Sequence, residues 1–260
     1  MLIARAIRSV QEQTFKDWEL IVADDGSTDN TPLVVRKWQM KEPRIVYTRS
    51  DINQGISKNY NRGLKMAKGE HIAMIDDDDP WLDKEKLKKQ IEFLDENNDY
   101  VGCGGGVIVV DEGGKELYRY LKPKEDGEIR KYMLFSNPMA NSTTLFRRTA
   151  GEKVDWYDES TRYAGDRDFW LKMGLVGKLH NFPEYFALYT MNPRVSTSIA
   201  KIRPHLKASL AIMKRYRGKY PYYLPALALN TIQHWYAFLP ANVRGVLHAS
   251  LARLKRRIAG

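Results

Sequence analysis

Four consecutive carboxylates, Asp76 to Asp79, follow the apolar run Ile72-Ala73-Met74-Ile75 and precede Pro80-Trp81. Adjacent anions repel one another, and at the end of a strand the usual remedy is a hard divalent cation bound through oxygen. Mg2+ or Mn2+ is the natural ion. A cation at the carboxyl end of a strand sits where α/β sheets bind their ligands, and there it can neutralise a diphosphate leaving group. A solvated acidic turn ahead of a helix is the alternative that this run alone leaves open. A second acidic turn, Asp24-Asp25-Gly26-Ser27-Thr28-Asp29-Asn30, follows the strand-like Glu19-Leu20-Ile21-Val22-Ala23.

The elements that must position these groups alternate. Leu2, Ile3, Ala6, Ile7 and Val10 recur at helical spacing. Thr31-Pro32 is a helix start, with Thr as N-cap and Pro at the first helical position, and the helix runs over 32–41. A strand over 44–48, a helix over 57–68 closed by Gly69 and a strand over 71–75 lead into the carboxylates. Strands alternating with such helices mean βαβ units and a parallel sheet. Asp83 caps a helix with Leu87, Ile91 and Leu94 on one face. Residues 100–110 and 115–121 then read as two strands joined by the tight turn Asp111-Glu112-Gly113-Gly114. The glycines at 102 and 104–106 are no dinucleotide fingerprint, because no helix follows them. Further elements are expected at 129–135 (helix), 142–146 (strand), 166–175 (helix) and 178–182 (strand).

At 260 residues and 43% hydrophobic, the chain can bury a full core. A single cysteine, Cys103, rules out an intrachain disulfide framework and fits a reducing compartment. No stretch of signal-peptide character opens the chain, and nowhere do 18 apolar residues run together. The net charge of +10 resides in the last 60 residues, which hold 12 Lys or Arg and no Asp or Glu, against 30 basic and 32 acidic residues before them. Basic amphipathic helices over 205–217 and 243–258, with an aromatic segment at 231–239 between them, suit an anionic membrane surface. A helical layer covering the sheet, with its cations solvated or complementing helix C-termini, is the alternative.

Gln13 through Asp29, then Asn53-Gln54-Gly55, then Asn59 through Glu70 and the Asp76–Asp79 run resemble the family 2 glycosyltransferases in order and spacing. A weaker echo continues in Ser142 to Arg148 and Gly165 to Leu171. The resemblance implies a GT-A fold, an α/β nucleotide-diphospho-sugar transferase with a mostly parallel central sheet flanked by helices. It divides the chain into a catalytic domain over 1–200 and a basic helical tail over 201–260. It further implies that Asp24, Asp25, Gly26, Asn53, Gly55 and Asp77 meet a nucleotide-sugar donor, with Asp25 on the base. A carboxylate suits that role because it accepts a strong hydrogen bond from an imide N–H, while Gly26 allows close backbone approach. Asp76, Asp78 and Asp79 would hold Mg2+ or Mn2+, with Asp78 the chief ligand. Asp166 matches the catalytic base of inverting members; its alternative role is the N-cap of the following helix, and Asp168 is the neighbouring candidate.

The acceptor that this implies is a glycan or a lipid-linked saccharide, rather than nucleic acid, at the inner face of the cell membrane. Family members open with a central strand ahead of the first helix, and this sequence begins within that helix, which leaves three alternatives: a start further upstream, a first strand supplied otherwise, or a protein that is not a competent enzyme. An aspartate-nucleophile phosphatase is disfavoured by Pro80 and Trp81, which stand where a small Thr or Val would follow. A non-catalytic membrane- or nucleic-acid-binding protein with a relic GT-A domain is the competing class.

Overall fold

The computed structural model describes residues 2–191 and 201–239. Helix α1 (Leu2–Gln11) buries Ile3, Ala6, Ile7 and Val10 on one stripe. Strand β1 (Leu20–Asp24), helix α2 (Thr31–Gln39) and strand β2 (Ile45–Arg49) follow as a parallel unit, with Leu20 opposite Ile45 and Asp24 opposite Arg49. Ile3, Ile7, Val35 and Ile45 make the small core between them. Helix α3 (Ile56–Leu64) then leads to the short strand β3 (His71–Ala73).

β3 belongs to a second sheet with β4 (Tyr100–Val110), β5 (Glu116–Tyr120), β6 (Leu145–Arg147) and β7 (Lys178–Thr190). β6 pairs with β4 at Gly102–Cys103 and β5 pairs with it at Val107–Val110, both antiparallel. β7 runs parallel along the opposite edge from Tyr100 to Val110. The strand directions are therefore more mixed than the βαβ pattern implies, because β6 runs antiparallel between β3 and β4 and because β4 returns into β5 through a hairpin. There the Asp111 carboxylate accepts the amides of Gly113 and Lys115, and Gly114 takes φ +84°. Among the described residues no ladder joins β1 to β3, so the sheet is interrupted between them.

Helices α4 (Lys86–Glu96), α5 (Asp126–Tyr132), α6 (Arg148–Lys153) and α7 (Gly165–Val176) complete the layers. The main core gathers around Phe146, Phe169 and Trp170, whose rings meet edge to face with centroids 5.1 to 5.9 Å apart. The glycines of β4 serve packing: a Cβ on Gly105 would stand 2.5 Å from the Phe186 ring, and one on Gly102 3.0 Å from Trp170. Helices α8 (Ile202–Arg215) and α9 (Tyr223–Tyr236) add Ile212, Met213, Tyr216, Ala226 and Leu229 to this same core. Arg167 of α7, fully desolvated, bonds Ser209, Asn230 and the Leu134 carbonyl, which ties the pair to α7 and to the segment after α5. The expected helix over 243–258 lies outside the described residues. No described helix is long and apolar enough to cross a membrane.

Candidate active site

β1 ends on Asp24, a buried carboxylate. Its Oδ1 accepts the Ser27 amide at 2.7 Å and its Oδ2 the Tyr47 hydroxyl at 2.6 Å, with Arg49 Nε 3.6 Å away. Burial pushes this carboxyl up, but the bonds from Tyr47 and Ser27 and the charge of Arg49 outweigh it and hold it below its ordinary value. Asp25 is engaged as well, since its two oxygens accept the amides of Gln54 at 2.8 Å and Gly55 at 2.9 Å. Gly26, at φ +81°, passes so close to the next loop that a Cβ would lie 3.0 Å from the Ile52 carbonyl carbon and 3.1 Å from the Asn53 nitrogen. From α3, Asn59 donates to the Ala23 carbonyl and Arg62 to that of Asp24, each at 2.7 Å. Asp24, Asp25, Gly26, Asn53 and Gly55 thus form one braced unit at the carboxyl end of β1. Asn53 is its exposed member.

The second acidic turn is arranged around Ser142. Its Oγ lies 3.1 Å from Asp76 Oδ2 and 2.7 Å from Asp79 Oδ2, and a single hydroxyl hydrogen can serve only one of them at a time. A proton held on the carboxyl pair can supply the other bond. Asp76 also accepts the Tyr60 hydroxyl. Burial drives Asp76 above its ordinary value, and the charges of Asp77 and Asp166 add to this against the bonds from Tyr60 and Ser142. Asp79 is only 4% exposed, and the Thr190 amide reaches its Oδ1 at 3.4 Å. Burial, then the charges of Asp76 and Asp78, push it up to about 8. Asp78 keeps its carboxyl half-buried while its carbonyl accepts the Thr190 hydroxyl at 3.0 Å. Burial and the charges of Asp77 and Asp76 push that carboxyl up to about 6, against a weaker pull from Arg5. Asp77 is exposed. Trp81 closes the turn, its amide bonded to Ser9 Oγ at 3.0 Å and its indole N–H to the Ser142 carbonyl at 2.7 Å.

Helix α7 carries two aspartates with different surroundings. Its N-cap is Ala164, at φ +56°, so Asp166 is a first-turn residue and not the cap. Asp166 Oδ1 accepts the Arg167 amide at 2.9 Å, and Oδ2 accepts Asn137 Nδ2 at 2.7 Å. The carbonyl of Asn137 accepts Lys122 Nζ at 3.0 Å. Burial lowers Lys122 to about 8, with the Asp166 charge acting the other way. The charge of Asp166 acts on both Lys122 and Asp76. Asp168 is buried instead, accepting the Tyr216 hydroxyl at 2.8 Å and Arg215 at 3.1 Å, and it ties α7 to α8.

Among the described residues no three His, Cys, Asp or Glu side chains converge into a closed metal cage. The oxygen donors fit an ion that needs few protein ligands, since Mg2+ is commonly held by one or two carboxylates with substrate phosphates and water completing its shell. Asp78 has an accessible, electrostatically crowded carboxyl to offer. Asp76 is held by the Tyr60 hydroxyl. Asp79 is engaged below them with Ser142 and Thr190. Sequence reasoning did not single out Tyr60, Ser142, Asn137, Lys122 or Thr190. Ser142 lies in the weaker echo of the family pattern, whereas nothing in the spacing of Lys122 and Asn137 points to Asp166.

Over 91% of the chain, the fold superposes on S. aureus TarS 1-349 in complex with UDP-GlcNAc, with a TM-score of 0.68, 20% identity and 69% of that chain covered. Over 97% it superposes on the mannosyltransferase PcManGT from Pyrobaculum calidifontis in complex with GDP-Man and Mn2+, with a TM-score of 0.64, 19% identity and 76% of that chain covered. The architecture is thus that of the GT-A transferases. The family model of Glycosyl transferase family 2 matches residues 2–154, and the chain belongs to that family. Among curated relatives, the putative glycosyltransferase EpsE of Bacillus subtilis is 31% identical over 65% of this chain and 61% of its own length. The GalNAc(5)-diNAcBac-PP-undecaprenol beta-1,3-glucosyltransferase of Campylobacter jejuni is 30% identical over 66% of this chain and 55% of its own. The chain therefore spans between half and two thirds of the length of these two relatives.

Proposed function

We propose that residues 1–200 form the catalytic domain of a metal-dependent, inverting glycosyltransferase that moves a sugar from a nucleotide-sugar donor, UDP-linked, to a glycan or lipid-linked acceptor. The observation that supports this reading is the setting of Asp166, a first-turn carboxylate held by the Asn137 amide whose charge also acts on Asp76 of the carboxylate turn. The braced unit around Asp24, Asp25 and Gly26 receives the nucleoside, with the exposed Asn53 and Asp77 as further polar contacts to the donor. A bound Mg2+ or Mn2+, held by Asp78 and Asp76, would neutralise the diphosphate as it leaves. Asp166 takes the proton from the acceptor hydroxyl while that oxygen bonds the anomeric carbon from the face opposite the diphosphate, so configuration inverts.

The name of the Campylobacter relative, with its undecaprenol diphosphate, supports a lipid-linked acceptor. The basic stretch over 201–260 would hold the enzyme peripherally on the anionic inner face of the cell membrane. The decisive experiment compares sugar transfer with donor affinity in wild type, Asp166→Asn and Asp168→Asn. Asp166→Asn keeps size and the Asn137 contact region but cannot accept a proton, so turnover falls by about 10² to 10⁴ while donor binding persists. Asp168→Asn lowers the melting temperature and leaves turnover per folded molecule within a few fold. Near-normal turnover in Asp166→Asn removes the assignment.

A further inference from the structure

Helix α9 is packed on one side and bare on the other. Leu224, Ile232 and Trp235 fall within about 80° of one another around its axis at 100° per residue. All three are exposed, Leu224 to 72% and Trp235 to 66%, and Phe238 and Leu239 continue the apolar line beyond the helix end. Trp235 is the one exposed tryptophan of the six in the chain. Beside it, the exposed cations Arg203, Lys207 and Lys214 of α8 fall within about 40° of one another around that helix. Arg203 joins the two stripes, since its guanidinium stacks 4.9 Å from the Phe238 ring and donates to the Ala237 carbonyl at 3.3 Å. At the other end of α9, Arg217 lies 5.7 Å from the Tyr223 ring. No Asp or Glu occurs anywhere from Lys201 to Gly260.

Deepening the membrane reading above, on which it rests, we propose that this α8–α9 face is the docking surface and that its occupant is a bilayer bearing anionic headgroups. The apolar line enters the interface with Trp235 at headgroup level, while the parallel row of cations meets the phosphates. A protein partner of ordinary composition would bring carboxylates and apolar groups interleaved; here apolar and cationic groups stand in separate adjacent rows, as a surface layered into phosphates and acyl chains requires.

The test uses the full chain with vesicles of phosphatidylcholine alone or mixed with phosphatidylglycerol, read by cosedimentation and by quenching of tryptophan emission with brominated lipid. Wild type binds the anionic vesicles, loses that binding as salt rises, and shows quenching that Trp235→Phe abolishes. Leu224→Ser/Trp235→Ser lowers partitioning by about tenfold or more. Lys207→Gln/Lys214→Gln lowers it by about tenfold and flattens the salt dependence. Unchanged thermal melting shows that both variants, altered only at exposed positions, remain folded. Absence of wild-type binding overturns the membrane reading itself. Binding that neither double variant changes, or quenching that survives Trp235→Phe, overturns only the assignment to this face. A concentration-dependent dimer that Leu224→Ser/Trp235→Ser dissolves, without vesicle binding, assigns the face to a second copy of the chain and also overturns the proposal.

Discussion

The two acidic turns of this molecule look alike in sequence and differ in electrical state. At Asp24-Asp25-Gly26, both carboxylates face donors: Tyr47, Ser27 and Arg49 for the first, and the amides of Gln54 and Gly55 for the second. At Asp76–Asp79 the carboxylates face one another, share the hydroxyl of Ser142, and are pushed up. The first turn has used its charge to build a loop. The second has charge left over for something that comes from outside. Their contributions to stability consequently run in opposite directions with pH. Asp24, lowered in the fold, stabilises above about pH 3.9 and ceases to do so as pH falls through its folded value. Asp79, raised in the fold, is most favourable below about pH 3.9, and its contribution declines as pH climbs toward about 8.

The sharpest way to break this contrast is Asp78→Asn. Removing one charged oxygen from the second turn should lower affinity for a nucleoside diphosphate in the presence of Mg2+ or Mn2+ by about a hundredfold or more, with little change when the metal is chelated. Calorimetry with and without the ion decides it, and identical losses in both conditions would place the ligand elsewhere in the run. A smaller effect of opposite sign is expected from Asp79→Asn in metal-free buffer. The amide can accept from Thr190 and donate to Ser142, so the variant should be more stable than wild type by on the order of 1–3 kcal/mol at pH 8, with the gain fading by pH 4. Urea unfolding at several pH values tests it; a constant difference across that range would mean that Asp79 is not the group titrating. The smallest effect belongs to Asp25→Asn, which exchanges one of two carboxylate acceptors for a donor. It should cost about 1–2 kcal/mol of stability and speed hydrogen exchange at the Gln54 and Gly55 amides, without altering the metal dependence of binding.

Much of this was legible in the chain. The strand over 100–110 and the hairpin after it stand where the alternation and the Gly-Gly turn put them, and the order of motifs implied the fold. The misses have identifiable physical causes. Pro204 and Pro225 look like helix breakers, yet each lies in a first turn, where no intrahelical N–H bond is owed, so α8 begins earlier than the helix expected from 205, and α9 forms where only an aromatic segment over 231–239 was read. β7 continues through Pro183-Glu184 to Thr190 because register shifts against β4 absorb the interruption. The environment of Asp166 was unreadable for a different reason: Asn137 and Lys122 reach it from loops that only the folded sheet brings near.

The long parallel pairing of β4 with β7 bears on how the chain becomes a domain in the first place. Its partners are about 80 residues apart in sequence, a high-contact-order closure that has to wait until the later segment has left the ribosome. The stretch matched by the family model ends at residue 154, before β7 begins. A nascent or truncated chain stopping there would carry both acidic turns and still expose an eleven-residue, glycine- and valine-rich edge as a template for sticking to other chains. The stretch that the family model matches is shorter than the stretch that completes the sheet, and an expression boundary drawn at its end is expected to yield aggregate.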